Sequence, residues 1–149
     1  MYRWLLFDGV TSTIEKDGMV LKMSADGCLN TDHEVMFLEH VQLKISLTYS
    51  RRGDLQLHLM SPTGTPSTLL PRRKDDYQPG KLDSWHFLSV FYWGERPNGT
   101  WTLIVENVGS ELNAGLFSWP VPVAVSVMFL VIFWWIDLSE NRHFVACNC

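Results

Sequence analysis

Apolar and polar residues alternate most regularly between residues 38 and 62 of the chain. The apolar positions of the alternation are Val41, Leu43, Ile45, Leu47, Tyr49, Leu55, Leu57 and Leu59. Because successive strand side chains point to opposite faces of a sheet, the pattern predicts two half-buried strands. The turn Arg51-Arg52-Gly53-Asp54 separates them, so we predict a hairpin-like connection, with Gly53 supplying a permissive backbone and Asp54 a capping side chain.

Shorter alternating segments on both sides predict further strands. They lie at residues 19–23, 69–70, 85–91 and 101–105. Within the third segment, Trp85, Phe87, Ser89 and Phe91 are predicted to share one strand face. Glycine- and proline-containing turns separate the segments at roughly ten-residue spacing, and no long amphipathic helical pattern interrupts them. The sequence therefore predicts an all-β protein, an antiparallel β-sandwich.

The character of the chain changes at residues 116–136, which are almost wholly apolar. About 20 apolar residues suffice to span a bilayer, so a transmembrane helix with Pro120 and Pro122 at its amino end is one interpretation. An apolar tail that arose from a change of frame or splicing is the other, and both stay open. Residues 137–149 form a polar carboxyl-terminal tail.

Composition bounds the function. The 149 residues suffice for one domain, and the net charge of −4 argues against nucleic acid as the main partner. The five histidines are scattered without metal-ligand spacing, and there is no nucleophile elbow or phosphate loop. The apolar run at residues 4–7 is too short for a signal-peptide core. We therefore favour a chain that begins partway into a larger protein.

Three short motifs each have a functional and a structural interpretation. Arg52-Gly53-Asp54 can act as an integrin-type ligand on an exposed loop, but a charged turn explains it more simply. Asn98 begins the sequence Asn98-Gly99-Thr100, a candidate N-glycosylation site if the chain enters a secretory lumen. The basic cluster Arg72-Arg73-Lys74 suits a basic-specific protease, although an ordinary polar loop accounts for it.

Several longer motifs, taken in order, resemble the P domain, also called the homo B domain, of kexin- and furin-like proprotein convertases. The matching segments are residues 38–41 (LEHV), 49–55 (YSRRGDL), 61–65 (SPTGT), 67–70 (STLL), 85–87 (WHF), 93–95 (WGE) and 99–103 (GTWTL). Their order and spacing are far more specific than any one motif. The resemblance covers residues 19–115 and leaves residues 1–18 as a partial or divergent amino-terminal segment.

The resemblance implies a jelly-roll β-sandwich that follows a subtilisin-like catalytic domain, its partner in a secretory-pathway enzyme. Such enzymes depend on calcium and cleave precursors after paired basic residues. This chain carries no Asp/His/Ser triad, so it is expected to be inactive alone and to bind no cofactor, with calcium held by the parent's catalytic domain. The first hypothesis is a fragment or splice form of a convertase. The alternative is a membrane-tethered binding module that uses the Arg52-Gly53-Asp54 turn.

Two departures from the family pattern stand out. The three cysteines cannot all pair within the chain, and the earlier cysteine that the resemblance implies as the partner of Cys28 is missing, so Cys28 is expected to be unpaired. The last strand begins at Gly115, but Pro120 and Pro122 interrupt it. We therefore expect a sandwich that lacks one paired edge strand.

Overall fold

The computed structural model describes residues 11–14, 16–32, 34–110 and 112–118, which form eight strands and one short 3-10 helix. The strands are β1 (Thr11–Ile14), β2 (Met19–Ala25), β3 (Val41–Tyr49), β4 (Leu55–Met60), β5 (Pro66–Leu70), β6 (Gly80–Ser89), β7 (Gly99–Asn107) and β8 (Gly115–Ser118). The 3-10 helix, Arg52–Asp54, lies between β3 and β4.

The strands form two four-stranded antiparallel sheets, in the orders β1-β8-β3-β6 and β2-β7-β4-β5. Strands that occupy the same position in the two orders are consecutive in sequence: β1 and β2, β8 and β7, β3 and β4, and β6 and β5. Apart from the β4–β5 hairpin, every connection passes from one sheet to the other. This arrangement is an eight-stranded jelly roll, which confirms the predicted fold class.

The prediction of a hairpin between β3 and β4 is wrong. The first strand pairs with β6 and β8, and the second pairs with β5 and β7 in the other sheet. Gly53 also has a different role from the predicted one, since a Cβ there would lie 2.2 Å from the Asp76 carbonyl oxygen and 2.3 Å from that of Arg73. The glycine is needed for a close approach between two loops rather than for its backbone freedom.

The alternating apolar residues of both sheets meet in a single core. The fully buried members include Ile45 of β3, Leu57 of β4 and Leu103 of β7. Tyr92 crosses this core, and its hydroxyl donates a hydrogen bond of 2.6 Å to the Leu59 carbonyl oxygen. The one-sided burial predicted from the alternation is therefore confirmed, although it did not reveal which strands pair.

The last strand differs from its prediction. Residues 115–118 form β8, which lies between β1 and β3 and has paired neighbours on both sides. The edge of the sheet is β1, which comes from the segment regarded as divergent. Phe117 of β8 is fully buried. Pro120 and Pro122 lie outside the described residues, so the predicted interruption is not located in the structure.

The predicted face of β6 is only partly buried. A bulge interrupts the pairing with β3, and Ser84 adopts a φ of 52° there while its N–H donates to Ser46 Oγ at 2.8 Å. Phe87 is buried, but Phe91 is exposed because β6 ends at Ser89.

The described residues include no helix that is long and apolar enough to cross a membrane. Of the predicted transmembrane segment, residues 116–118 belong to β8, and residues 119–136 lie outside the described part of the chain.

Candidate interaction surfaces

The connections between strands collect at two ends of the jelly roll. We call the end formed by the β3–β4, β5–β6 and β7–β8 connections the charged end; the Val108 N–H donates to the Asp54 carbonyl there at 2.9 Å. The opposite end, formed by the β2–β3, β4–β5 and β6–β7 connections, we call the apolar end; there the Gly94 N–H donates to the Leu38 carbonyl at 2.7 Å.

Asp54 is the buried centre of the charged end. Its side chain is 0% exposed and accepts a hydrogen bond from Asn113 Nδ2 at 3.0 Å. The guanidinium groups of Arg51 and Arg72 lie 3.3 and 3.4 Å from its two oxygens. Burial raises the pKa of the nearby Tyr49 hydroxyl to about 12, and the Asp54 charge adds to the effect. The carboxylate thus joins three connections of the jelly roll.

Asp76 is the second carboxylate of this end. Arg52 Nε lies 3.1 and 2.8 Å from its two oxygens, and the Arg73 guanidinium lies 3.3 Å from one of them. The hydrogen bond from Arg52 is the main cause of the lowered pKa of Asp76. A lowered pKa means that this contribution to stability is present above the usual aspartate pKa and is lost as the pH falls through the lowered value.

The Arg-Gly-Asp tripeptide therefore lies inside a network. Gly53 and Asp54 are buried, and the guanidinium of Arg52 is bound to Asp76. An integrin-type ligand requires an accessible aspartate, so this placement favours the interpretation of the tripeptide as a structural turn. The basic cluster Arg72-Arg73-Lys74 lies on the neighbouring connection and takes part in the same network.

The apolar end carries large side chains that face solvent. Six of them, each at least half exposed, lie on the β2–β3 and β6–β7 connections: Leu29, Met36, Phe37, Val90, Phe91 and Trp93. Phe91 is 70% exposed and Trp93 is 66% exposed. Exposed apolar and aromatic side chains on neighbouring connections are typical of a protein–protein contact surface.

The connections of the apolar end hold one another in place. The Leu38 N–H donates to the Glu95 carbonyl oxygen at 2.8 Å, and Thr63 Oγ1 donates to the Glu95 carboxylate. Partial burial acts to raise the pKa of Glu95, but hydrogen bonds from serine and threonine hydroxyls of the β4–β5 connection outweigh it, so the pKa is lowered. The guanidinium of Arg96 lies 6.0 Å from the centre of the Phe37 ring.

Cys28 and Asn98 also lie at the apolar end. Cys28 is buried beside Val35 and has a φ of 59°. Asn98 is half-buried, and a Cβ on Gly27 would lie 2.5 Å from its side-chain oxygen. Neither position tests the predicted unpaired thiol or the predicted glycosylation, and both stay predictions.

The described residues bring no three histidine, cysteine, aspartate or glutamate side chains together as a metal site. His58 lies on β4 with Nδ1 3.0 Å from Thr68 Oγ1 and Nε2 3.5 Å from the Glu106 carboxylate.

The sequence did not reveal the apolar end, because Phe91 was predicted to lie on a strand and not on a connection. A usable signal was present, since the connection at residues 90–98 contains Val90, Phe91 and Trp93 where a surface loop usually carries polar residues.

The pairing of the outer strands gives their direction relative to the apolar end. Ser118 of β8 pairs with Ser46 of β3, and because β3 starts from the apolar end, the antiparallel β8 runs towards that end. Ser118 also pairs with Thr11, so β1, which is antiparallel to β8, runs away from it.

A protein-family model described as the proprotein convertase P-domain matches residues 38–123, more than half of the chain. The match extends beyond the predicted boundary at residue 115. Among solved structures, a serine protease of Aeromonas sobria is similar, with a TM-score of 0.47 and 21% identity over 76% of this chain and 26% of that one.

Curated relatives match the same part of the chain. Endoprotease bli of Onchocerca volvulus is 44% identical over 97 residues, 65% of this chain and 14% of that protein. Proprotein convertase subtilisin/kexin type 5 of Branchiostoma californiense is 47% identical over 85 residues, which cover 57% and 5% of the two proteins. Furin of Homo sapiens is 40% identical over 95 residues, which cover 64% and 12%. The chain thus spans only a small part of each relative.

Proposed function

Because the chain belongs to the proprotein convertase P-domain family, we propose that it is the non-catalytic domain of a calcium-dependent subtilisin/kexin-like proprotein convertase, present as a fragment or splice form. In this role it packs on a serine endopeptidase domain, stabilises it and influences its activity in the secretory pathway. The catalytic domain holds the calcium and cleaves precursors after paired basic residues.

The apolar end is the observation that carries this proposal. Half of the twelve exposed large apolar side chains in the described part of the chain lie at this end, and groups of exposed apolar side chains often mark a contact surface. β1 runs away from this end, because it is antiparallel to β8, which runs towards it. A domain that precedes β1, as the catalytic domain does in the family, is therefore well placed to cover it.

The chemistry of the surface suits a stable contact. Aromatic side chains such as Phe91 and Trp93 bury a large area with few rotatable bonds, and arginine and aromatic residues dominate the energetics of many interfaces. Arg96, already close to the Phe37 ring, adds a charged group at the rim. The backbone hydrogen bonds between the connections fix their main chain before binding, which lowers the entropic cost of association.

A chimera tests the proposal. A furin whose own P domain is replaced by residues 11–123 should be secreted and should cleave a fluorogenic paired-basic peptide. We expect the double variant Phe91→Ser/Trp93→Ser in this chimera to lower secreted activity at least about tenfold, because loss of two interface aromatics typically costs more than 2 kcal/mol.

The matched control is Val20→Ser/Leu112→Ser, which removes two other exposed apolar side chains, both outside the apolar end. This control should keep the activity of the parent chimera. A chimera no more active than furin without any P domain would contradict the proposed function. Equal losses in both double variants would contradict the assignment of the contact to the apolar end.

We also propose that Asn98 is N-glycosylated, as expected if the domain folds in a secretory lumen. When the chain follows a secretory signal in mammalian cells, an endoglycosidase should increase its electrophoretic mobility. Asn98→Gln and Thr100→Ala should both abolish this shift, while Thr100→Ser keeps the acceptor sequence and the shift. A shift that persists in Asn98→Gln, or a signal-directed chain that shows none, would contradict this prediction.

A further inference from the structure

Two paired-basic segments, Arg51-Arg52 and Arg72-Arg73, meet at the charged end. Each is a sequence that a basic-specific endopeptidase recognises through the positive charges of its side chains. We propose that the contacts of the charged end protect both segments from such endopeptidases, and that the Asp76 carboxylate helps to hold the two segments in place. The statement that the parent convertase is one of these endopeptidases rests on the proposed function above.

All four arginine side chains of the two segments are occupied. Arg52 and Arg73 both bind the Asp76 carboxylate, at 2.8 and 3.3 Å. Arg51 and Arg72 lie 3.3 and 3.4 Å from the Asp54 carboxylate. A protease subsite that binds arginine must replace these contacts, which are charge-assisted hydrogen bonds for Arg52, Arg72 and Arg73 and an ion pair for Arg51.

The backbone of the first segment is also held. A protease binds its substrate as an extended strand, but Arg52 opens a 3-10 helix and its N–H donates to the Gln78 carbonyl oxygen at 3.0 Å. The peptide bond after Arg52 leads into the buried Gly53. Cleavage there therefore requires the segment to leave both its helical turn and its partner loop.

The second segment is held by the first. The Arg73 N–H donates to the Gly53 carbonyl oxygen at 2.8 Å, and Arg73 Nη2 donates to the Arg52 carbonyl oxygen at 3.1 Å. Arg51 returns the contact, because its Nη2 donates to the Lys74 carbonyl oxygen at 3.0 Å while its guanidinium lies over the Tyr77 ring. Opening either loop thus breaks contacts of the other, so the two protect each other.

Asp76 and Asp54 each bind one arginine from each segment, and Asp76 is the more exposed of the two carboxylates, so its substitution disturbs the buried part of the fold less. Arg52 lowers the pKa of this carboxyl, so the carboxylate stays charged when the surroundings become mildly acidic. A domain attached to an enzyme that cleaves after paired basic residues can in this way carry two such pairs and stay intact.

The test is limited proteolysis of the full chain, with trypsin and separately with furin, followed by mass determination of the fragments. A free peptide of residues 48–78 provides the unprotected rate for the bonds after Arg52 and Arg73. We expect both bonds to be cleaved at least about 100-fold more slowly in the folded chain than in the peptide, because cleavage tracks the small population of locally open molecules.

Asp76→Asn should raise the cleavage rate at these two bonds on the order of tenfold, since it removes the charge from both arginine contacts. The matched control is Asp83→Asn, which removes the charge of an aspartate paired with Lys81 at 2.8 Å outside the charged end and should leave both rates unchanged. Cleavage after Lys22 and Lys44, inside β2 and β3, reports global unfolding of any variant.

Equal rates for Asp76→Asn and Asp83→Asn, in variants that resist cleavage after Lys22 and Lys44, would overturn the role of Asp76. If Asp76→Asn unfolds globally, the comparison of the wild-type chain with the peptide still decides whether the segments are protected. Equal rates in chain and peptide would overturn the proposed protection. Trypsin protection together with a furin that does not cleave even the free peptide would overturn the part of the proposal that concerns convertases, independently of the chimera experiment.

Discussion

Replacing Phe117 with alanine is expected to lower the free energy of unfolding by about 3–5 kcal/mol, the usual cost of truncating a buried phenylalanine. Phe117 lies on β8, is 0% exposed and belongs to the single core cluster of the jelly roll. Because β8 has strands on both sides, the structure around it can collapse little into the cavity. Denaturant unfolding of the variant, read by tryptophan fluorescence, measures the loss.

Leu116→Ala is the control, because the neighbouring side chain on the same strand is 50% exposed. The free energy of unfolding of Leu116→Ala should fall by less than about 1 kcal/mol, as for other partly exposed positions. The difference between the two variants separates burial on β8 from any general intolerance of this strand. A Phe117→Ala protein as stable as Leu116→Ala would mean that residues 115–118 do not close the core.

Replacing Asp54 with alanine is expected to destabilise the fold by about 2–4 kcal/mol. The carboxylate is 0% exposed, and its loss removes the partner of Asn113 and of two arginines. The side chains of Arg51 and Arg72 are 30% and 48% exposed, so water can replace part of the contact that each loses with Asp54. The expected destabilisation is therefore smaller than that for breaking a fully buried ion pair. Thermal and denaturant unfolding measure the effect.

Asp75→Asn provides the control, since it removes the same charge from an exposed position of the neighbouring connection. Asp54→Glu separates the two interpretations of the tripeptide. A structural turn predicts that the added methylene destabilises the fold, since the site has no room for it: a Cβ on Gly109 would lie 2.0 Å from the Asp54 carboxylate. An adhesive motif predicts instead a stable protein that loses integrin-dependent cell attachment.

The local pattern was sufficient for the strands and for their buried faces. Val41, Leu43 and Ile45 alternate with polar residues, and a period of two leaves a strand one apolar face to bury whatever its partner. The family motifs extended this to the jelly roll, because their order along the chain identifies a whole domain rather than an element. The confirmed fold class therefore followed from short-range regularities read together.

The alternation of apolar and polar residues could not predict which strands pair with each other. A hairpin within one sheet and a connection between two sheets bury the same alternate residues, so β3 and β4 looked alike in either arrangement. Residues 11–14 have no distinctive alternation, and β1 forms a strand because β8 offers it a free edge. Such contacts join residues about 100 positions apart, and no local periodicity encodes them.

The two ends of the molecule show the same division. The sequence alone predicted that residues 51–54 form a charged turn and that residues 72–74 lie on a polar loop, but it assigned Phe91 to a strand. Tertiary packing brought the turn and the loop together, so that Asp54 became buried and Asp76 came to bind arginines of both. It also ended β6 at Ser89 and left Phe91 and Trp93 facing solvent. The composition of a loop can be read from its own sequence. Whether its side chains bind one another or stay exposed for a binding partner depends on the loops that pack beside it in the folded protein.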